Sequence, residues 1–175
     1  GGDATGIYTP ARVELTRRDG ATTFLETPRN AFSNPRTLAG WTDLETLYFA
    51  GYVLWNYAQL PFLLLWPGLR LEGAGTTVKE GETWSKVAVT FPPEVATHSP
   101  RQMFYFGPDG LLRRHDYYVE IMSRLARGAR YIHATQRVGE LILPSRIEIK
   151  LGLAGESFAP FPSLGFVDFD DTRVE

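Results

Sequence analysis

Cysteine is absent from the 175 residues, which removes disulfides, thiolate nucleophiles and cysteine metal ligands, although it does not fix the redox compartment. An excess of either charge is lacking too. Lys and Arg number 18 against 20 Asp and Glu, for a net charge of -2 and a pI near 6.0. Such a chain offers no general attraction to a phosphate backbone, so no nucleic-acid partner is expected. The longest apolar stretch, Leu44 to Trp66, falls short of a membrane span: Asn56, Gln59 and Pro61 interrupt it, and its Tyr and Trp are scattered through the middle. No stable membrane insertion is expected. No basic-then-apolar leader opens the chain, which begins Gly1-Gly2-Asp3 without Met, so the expectation is that a native start has been removed.

Motifs that would name a chemistry are also missing. There is no G-x-S-x-G elbow, and Gly73-Ala74-Gly75 has neither the Walker lysine nor Rossmann spacing. Neither repeats nor low-complexity tracts occur. What remains is 43% hydrophobic and 13% aromatic residues, enough for one domain, residues 1–175, with a sizeable core.

Thr42-Asp43-Leu44-Glu45 has the spacing of a capping box, so a helix is predicted from there to about Gln59, with Pro61 pushing its preceding residue out of the α region. Apolar and aromatic side chains cover nearly every direction of that helix, which requires cover on most sides. Trp55 is expected to be almost fully buried. Around it lie alternating segments with turn signals at short intervals: Thr9 to Arg17 and Ala21 to Thr27 before the helix, then Leu69 to Val78, Thr83 to Phe91, Arg101 to Phe106, Leu111 to Ile121, Arg130 to Val138, Leu141 to Leu151 and Leu164 to Val174. Ser157 to Pro162 reads as a Pro-interrupted approach to the last strand. The connections are too short for parallel crossovers, so the strands are predicted to be antiparallel neighbours in one large curved sheet.

The run Phe91 to Tyr118 is the most informative. Arg101 to Phe106 and Leu111 to Glu120 flank Gly107-Pro108-Asp109-Gly110, a hairpin signal. With Phe106 opposite Leu111, Phe104 opposes Arg113 and Gln102 opposes His115 on one face. On the other, Met103 opposes Arg114 and Arg101 opposes Asp116. Alternation separates His115 from Asp116, so the pair is neither a catalytic dyad nor a complete metal set, and no metal site is expected. Arg113 and His115 beside Phe104 can instead form a polar strip that orients the carboxylate, carbonyl or phenol end of a hydrophobic ligand. The competing explanation is a solvated face on which Arg113 stacks on Phe104. On the helix, Tyr48, Tyr52, Trp55 and Asn56 form an aromatic wall with polar tips, read either as core or as a ligand-facing surface.

The segments YFAGYVLWNYAQLPFLL, VTFPPEVATHSPRQMFYFGPDGLLRRHDYY and ILPSRIEI resemble a family of bacterial proteins related in fold to the periplasmic lipoprotein carriers of the LolA and LppX type. The resemblance runs from about Ile7 to the C-terminus. It implies an α+β half-barrel, a bent antiparallel sheet wrapped around a hydrophobic helix, that holds lipid tails or other apolar molecules on its concave side. It also implies a further helix and strands before Gly1, leaving an edge to be completed by that segment or by another chain. Relatives of this kind without signal peptides point to the cytoplasm, the lipoprotein carriers to the periplasm.

The expected function is therefore binding of a hydrophobic or amphipathic small molecule, lipid-like or polyketide-like, through Tyr48, Tyr52, Trp55, Asn56, Phe104, Arg113 and His115. No cofactor is implied. A cofactor-independent cyclase or isomerase is the enzymatic alternative, with His115 or Tyr117 transferring a proton and Arg113 stabilising charge. A structural subunit completed by a second chain is the third.

Overall fold

The computed structural model describes residues 4–152, 163–170 and 172. It is an α+β protein of antiparallel sheets and one α-helix, and its larger sheet is open rather than closed. Two sheets form where one was expected. The strands β1 (Ala4–Tyr8), β2 (Arg12–Arg17) and β3 (Thr22–Glu26) make a three-stranded sheet in the order β1-β2-β3. The chain then passes through two 3-10 turns, Pro28–Ser33 and Pro35–Ala39, and the helix α1 (Asp43–Gln59) before the next strand begins. That long interruption removes the short connection that would have kept β3 beside its successor.

The second sheet has seven strands: β4 (Arg70–Lys79), β5 (Glu82–Thr90), β6 (Arg101–Phe106), β7 (Leu112–Tyr118), β8 (Arg127–Val138), β9 (Leu141–Gly152) and β10 (Ser163–Asp168). Each pairs antiparallel with its sequence neighbours, in the order β10-β9-β8-β7-β6-β5-β4. Short turns leave little choice of partner, which is why sequence order and spatial order coincide. Ser163–Asp168 is the described part of the last predicted strand; Ser157 to Pro162 lie outside the described residues.

By backbone contacts the chain divides into two compact units, Gly1–Leu63 with Pro92–His98, and Leu64–Phe91 with Ser99–Glu175. In the first, α1 packs on β1 and β2. Its capping box is complete: the Glu45 amide donates to the Thr42 hydroxyl at 3.3 Å, and the Thr42 amide donates to the Glu45 carboxylate at 2.7 Å. Leu60, extended at φ -75° and ψ 136°, ends the helix before Pro61. Tyr48, Tyr52 and Tyr57 are buried, whereas Leu54 is 50% exposed. Trp55 is half-buried rather than fully enclosed. The helix is thus covered by its tyrosines on one side and open on another, which an all-round apolar sequence does not distinguish.

In the second unit, the hairpin β6–β7 forms as expected but in a different register. Phe104 pairs with His115, Met103 with Asp116 and Tyr105 with Arg114, while Phe106 pairs with Leu112. Two local features cause the change. The Gly107 amide donates to the Leu111 carbonyl at 2.9 Å, leaving a three-residue loop, Pro108-Asp109-Gly110, closed by Gly110 in the left-handed region at φ 78°. A bulge at Arg113 then adds a further residue to β7. Because the total shift on β6 is two residues, His115 stays on the face of Phe104.

Candidate functional site

The residues singled out from sequence fall into both units. In the first unit, the Tyr52 hydroxyl lies 3.1 Å from His98 Nδ1, and the two rings meet edge-on at 5.2 Å. Tyr48 packs on Tyr52 with ring centroids 5.4 Å apart. Burial, above all, raises the Tyr52 phenol, so it stays neutral at physiological pH. The Asn56 amide donates to the carbonyls of Tyr52, at 2.6 Å, and Ala96, at 2.8 Å. Its donors therefore tie α1 to the 92–98 segment. Trp55 is the half-buried member of the set.

In the second unit, the expected pairs give way to others. Phe104 stacks on His115, with centroids 4.2 Å apart and planes 12° off parallel, in place of Arg113. His115 Nε2 meets the Gln102 side-chain carbonyl, and its ring lies 4.9 Å from Tyr117. Gln102, Phe104, His115 and Tyr117 are all buried. Arg113, carried by the bulge to the hairpin end, donates instead to Asp109 at 2.8 Å and Glu82 at 3.3 Å. Arg113 and His115 thus have separate surroundings, and the polar strip expected from Arg113 through His115 does not form as a continuous unit.

Asp116 also changes partners. Arg101, expected opposite it, approaches Glu72 at 4.0 Å. Asp116 accepts a fork from Arg114, at 2.6 and 2.7 Å, and single bonds from Arg127 and the Tyr105 hydroxyl, each at 3.1 Å. Burial and the Asp116 charge push the Tyr105 phenol up to about 12. Burial works against the charge on Arg114, but its hydrogen bonds to Asp116 win and hold it protonated. Two guanidinium groups share one carboxylate here.

Beside that cluster opens a groove of about 650 Å³, formed within the second unit by Ser99–Met103, Asp116–Tyr118, Glu120 and Arg127. Pro100, Met103, Tyr117 and Tyr118 supply its apolar surface, and Arg101 and Arg127 its cations. The Ser99 hydroxyl shapes one end by donating to the Arg101 carbonyl at 3.1 Å and accepting from the Tyr118 amide at 3.2 Å. Of the expected site residues, Tyr117 lines this groove. Met103, Tyr118 and Arg127 were not anticipated from sequence; the β7–β8 register that brings Arg127 opposite Tyr118 has no local signature.

Among the described residues no group of three or more His, Asp and Glu side chains is arranged to hold a metal ion. No helix among them is long and apolar enough to cross a membrane. No family model matches the chain, and no curated protein does. Among solved structures, the chain is distantly similar to a DUF1329 family protein from Desulfovibrio piger, with 13% sequence identity and a TM-score of 0.46. That match covers 79% of this chain and 51% of the other, so this chain spans about half the length of the protein it matches.

Proposed function

We propose that this protein binds a hydrophobic or amphipathic small molecule with an anionic end, using the groove of the second unit. The observation that carries this reading is the groove itself: about 650 Å³, walled by Pro100, Met103, Tyr117 and Tyr118, with Arg101 and Arg127 beside it. Its volume falls in the range of ordinary ligand pockets, and few polar groups among apolar walls are the usual means of fixing orientation. The lining carries two cations, Arg101 and Arg127, and two carboxylates, Asp116 and Glu120. Asp116 is already shared among Arg114, Arg127 and Tyr105, and Arg101, largely exposed and only 4.0 Å from Glu72, is the cation left to meet an anionic end. In this reading the seven-stranded meander is the bent sheet of a LolA-like half-barrel, and the ligand is lipid-like or polyketide-like.

The experiment compares a medium-chain fluorescent fatty acid with its methyl ester. Arg101→Ala, at a side chain that is largely exposed, is expected to weaken the acid about tenfold and leave the ester unchanged, because only the carboxylate forms a charge-assisted hydrogen bond. Met103→Trp, which fills the groove, is expected to abolish binding of both. Unchanged affinity in a folded Met103→Trp variant would remove the groove from consideration.

A further inference from the structure

A second cavity of the same unit, about 190 Å³, is lined by Thr77, Lys79, Trp84, Lys86, Tyr105 and Arg114. Strand pairing explains how residues so far apart in sequence meet. Thr77 pairs with Trp84, Lys86 with Tyr105 and Tyr105 with Arg114, so their side chains share one face across β4, β5, β6 and β7. Lys79, two residues beyond Thr77, shares that face. Three cations from three strands therefore converge on one small cavity, and among the described residues no carboxylate belongs to its lining.

Glu80 follows Lys79 in the β4–β5 turn, outside the cavity lining, and two further neighbouring acids are committed elsewhere. Glu82 accepts from the Trp84 indole at 2.9 Å and from Arg113 at 3.3 Å. Asp116 is taken by Arg114, Arg127 and Tyr105. Among the described residues, Lys79 and Lys86 have no ion-pair partner. Like charges brought together across a sheet destabilise it unless something neutralises them. Here the buried Arg114 is fixed in place by its fork on Asp116, and the lysines reach the cavity from the two strands beyond Tyr105.

We propose that this cavity is an oxyanion site: Lys79 and Lys86 bind a phosphate- or carboxylate-sized group, Thr77 offers a hydroxyl, and Arg114 adds a fixed positive charge. Size and charge set the class of ligand. The cavity, about 190 Å³ and partly open, has room for one oxyanion, free or at the end of a larger molecule. The site is thus separate from the apolar groove in chemistry as well as in lining, and it stands whether or not the groove takes a ligand. Arg114 and Asp116 lie between the two, one lining the cavity and the other the groove.

The test titrates the protein with inorganic phosphate and with glycerol phosphate, using chloride at matched ionic strength as the control, while recording backbone amides and the Trp84 indole N–H by NMR. Saturable shifts confined to Thr77, Trp84, Lys86, Tyr105 and their neighbours are expected with phosphate and not with chloride. The double variant Lys79→Gln with Lys86→Gln, whose near-UV circular dichroism should match wild type because neither side chain is buried, is expected to bind phosphate at least about tenfold more weakly. Equal binding of the monoester supports a site for the anionic end of a larger molecule; its rejection supports a free ion. Non-saturating shifts, shifts reproduced by chloride, or unchanged phosphate binding by the folded double variant would each overturn the proposal.

Discussion

At the scale of single residues, Glu45 shows how one side chain couples a helix start to pH. Its carboxylate is 1% exposed, accepts from the Thr42 amide and hydroxyl, and is paired with Arg36. Burial alone would raise it, but these hydrogen bonds outweigh burial and hold it below the usual carboxylate range. A carboxylate depressed in the folded state contributes stability that is fully present above its unfolded pKa, about 4.3, and is lost as pH falls through its folded value. Glu45→Gln should therefore cost about 1 to 3 kcal/mol at neutral pH and flatten the acid limb of a stability-versus-pH curve. Chemical denaturation from neutral pH down to about 3 checks this; parallel curves for variant and wild type would refute it. Thr42→Ala should cost about 1 kcal/mol. The cap was legible because its spacing is local, whereas Arg36, in the preceding loop, was not. Trp55 was misplaced for the converse reason: every face of α1 carries large apolar groups, so composition could not tell that Tyr48, Tyr52 and Tyr57 take the buried positions.

At the scale of elements, the hairpin β6–β7 was legible and its register was not. Gly107-Pro108-Asp109-Gly110 accommodates a four-residue loop as readily as the three-residue loop with left-handed Gly110, and a bulge at Arg113 has no mark in an alternating sequence. The consequence reached the site: Arg113 moved to Asp109 and Glu82, and Asp116 gained Arg114 and Arg127. Face assignment survived because the pleat repeats every two residues, so His115 still accompanies Phe104. The next strand pair supplies a test of how tightly this packing is held. A Cβ on Gly128 would lie 2.3 Å from the ring of Tyr117, its cross-strand partner, which is 3% exposed. Gly128→Ala should cost about 1 to 3 kcal/mol, since a buried ring has no room to retreat. It should also weaken the fluorescent fatty acid, because Tyr117 lines the groove. Unaltered stability would mean that Tyr117 repacks freely.

At the scale of the whole molecule, strand order in the larger sheet could be read from turn spacing, because each short connection makes sequence neighbours into spatial neighbours. The separation of β1–β3 into their own sheet could not, since nothing local records that the chain leaves one sheet and starts another after α1. The open order leaves β4 and β10 as edges of the larger sheet among the described residues. On β4, Leu71 is 50% and Val78 74% exposed, and alternate amides along Arg70–Lys79 point away from β5. Strands β7 and β8, paired on both sides and carrying the fully buried Ala129 and Arg130, have no such outlet. Native-state hydrogen exchange should therefore be graded across the sheet: β7 and β8 amides open only at free energies near that of global unfolding, and the outward amides of β4 exchange within about tenfold of the unprotected rate. Slow exchange along all of β4 in the isolated chain would show that its edge is covered. Exchange that stays fast in the isolated chain and slows when a longer form of the protein is measured would instead identify β4 as the strand that an additional segment completes.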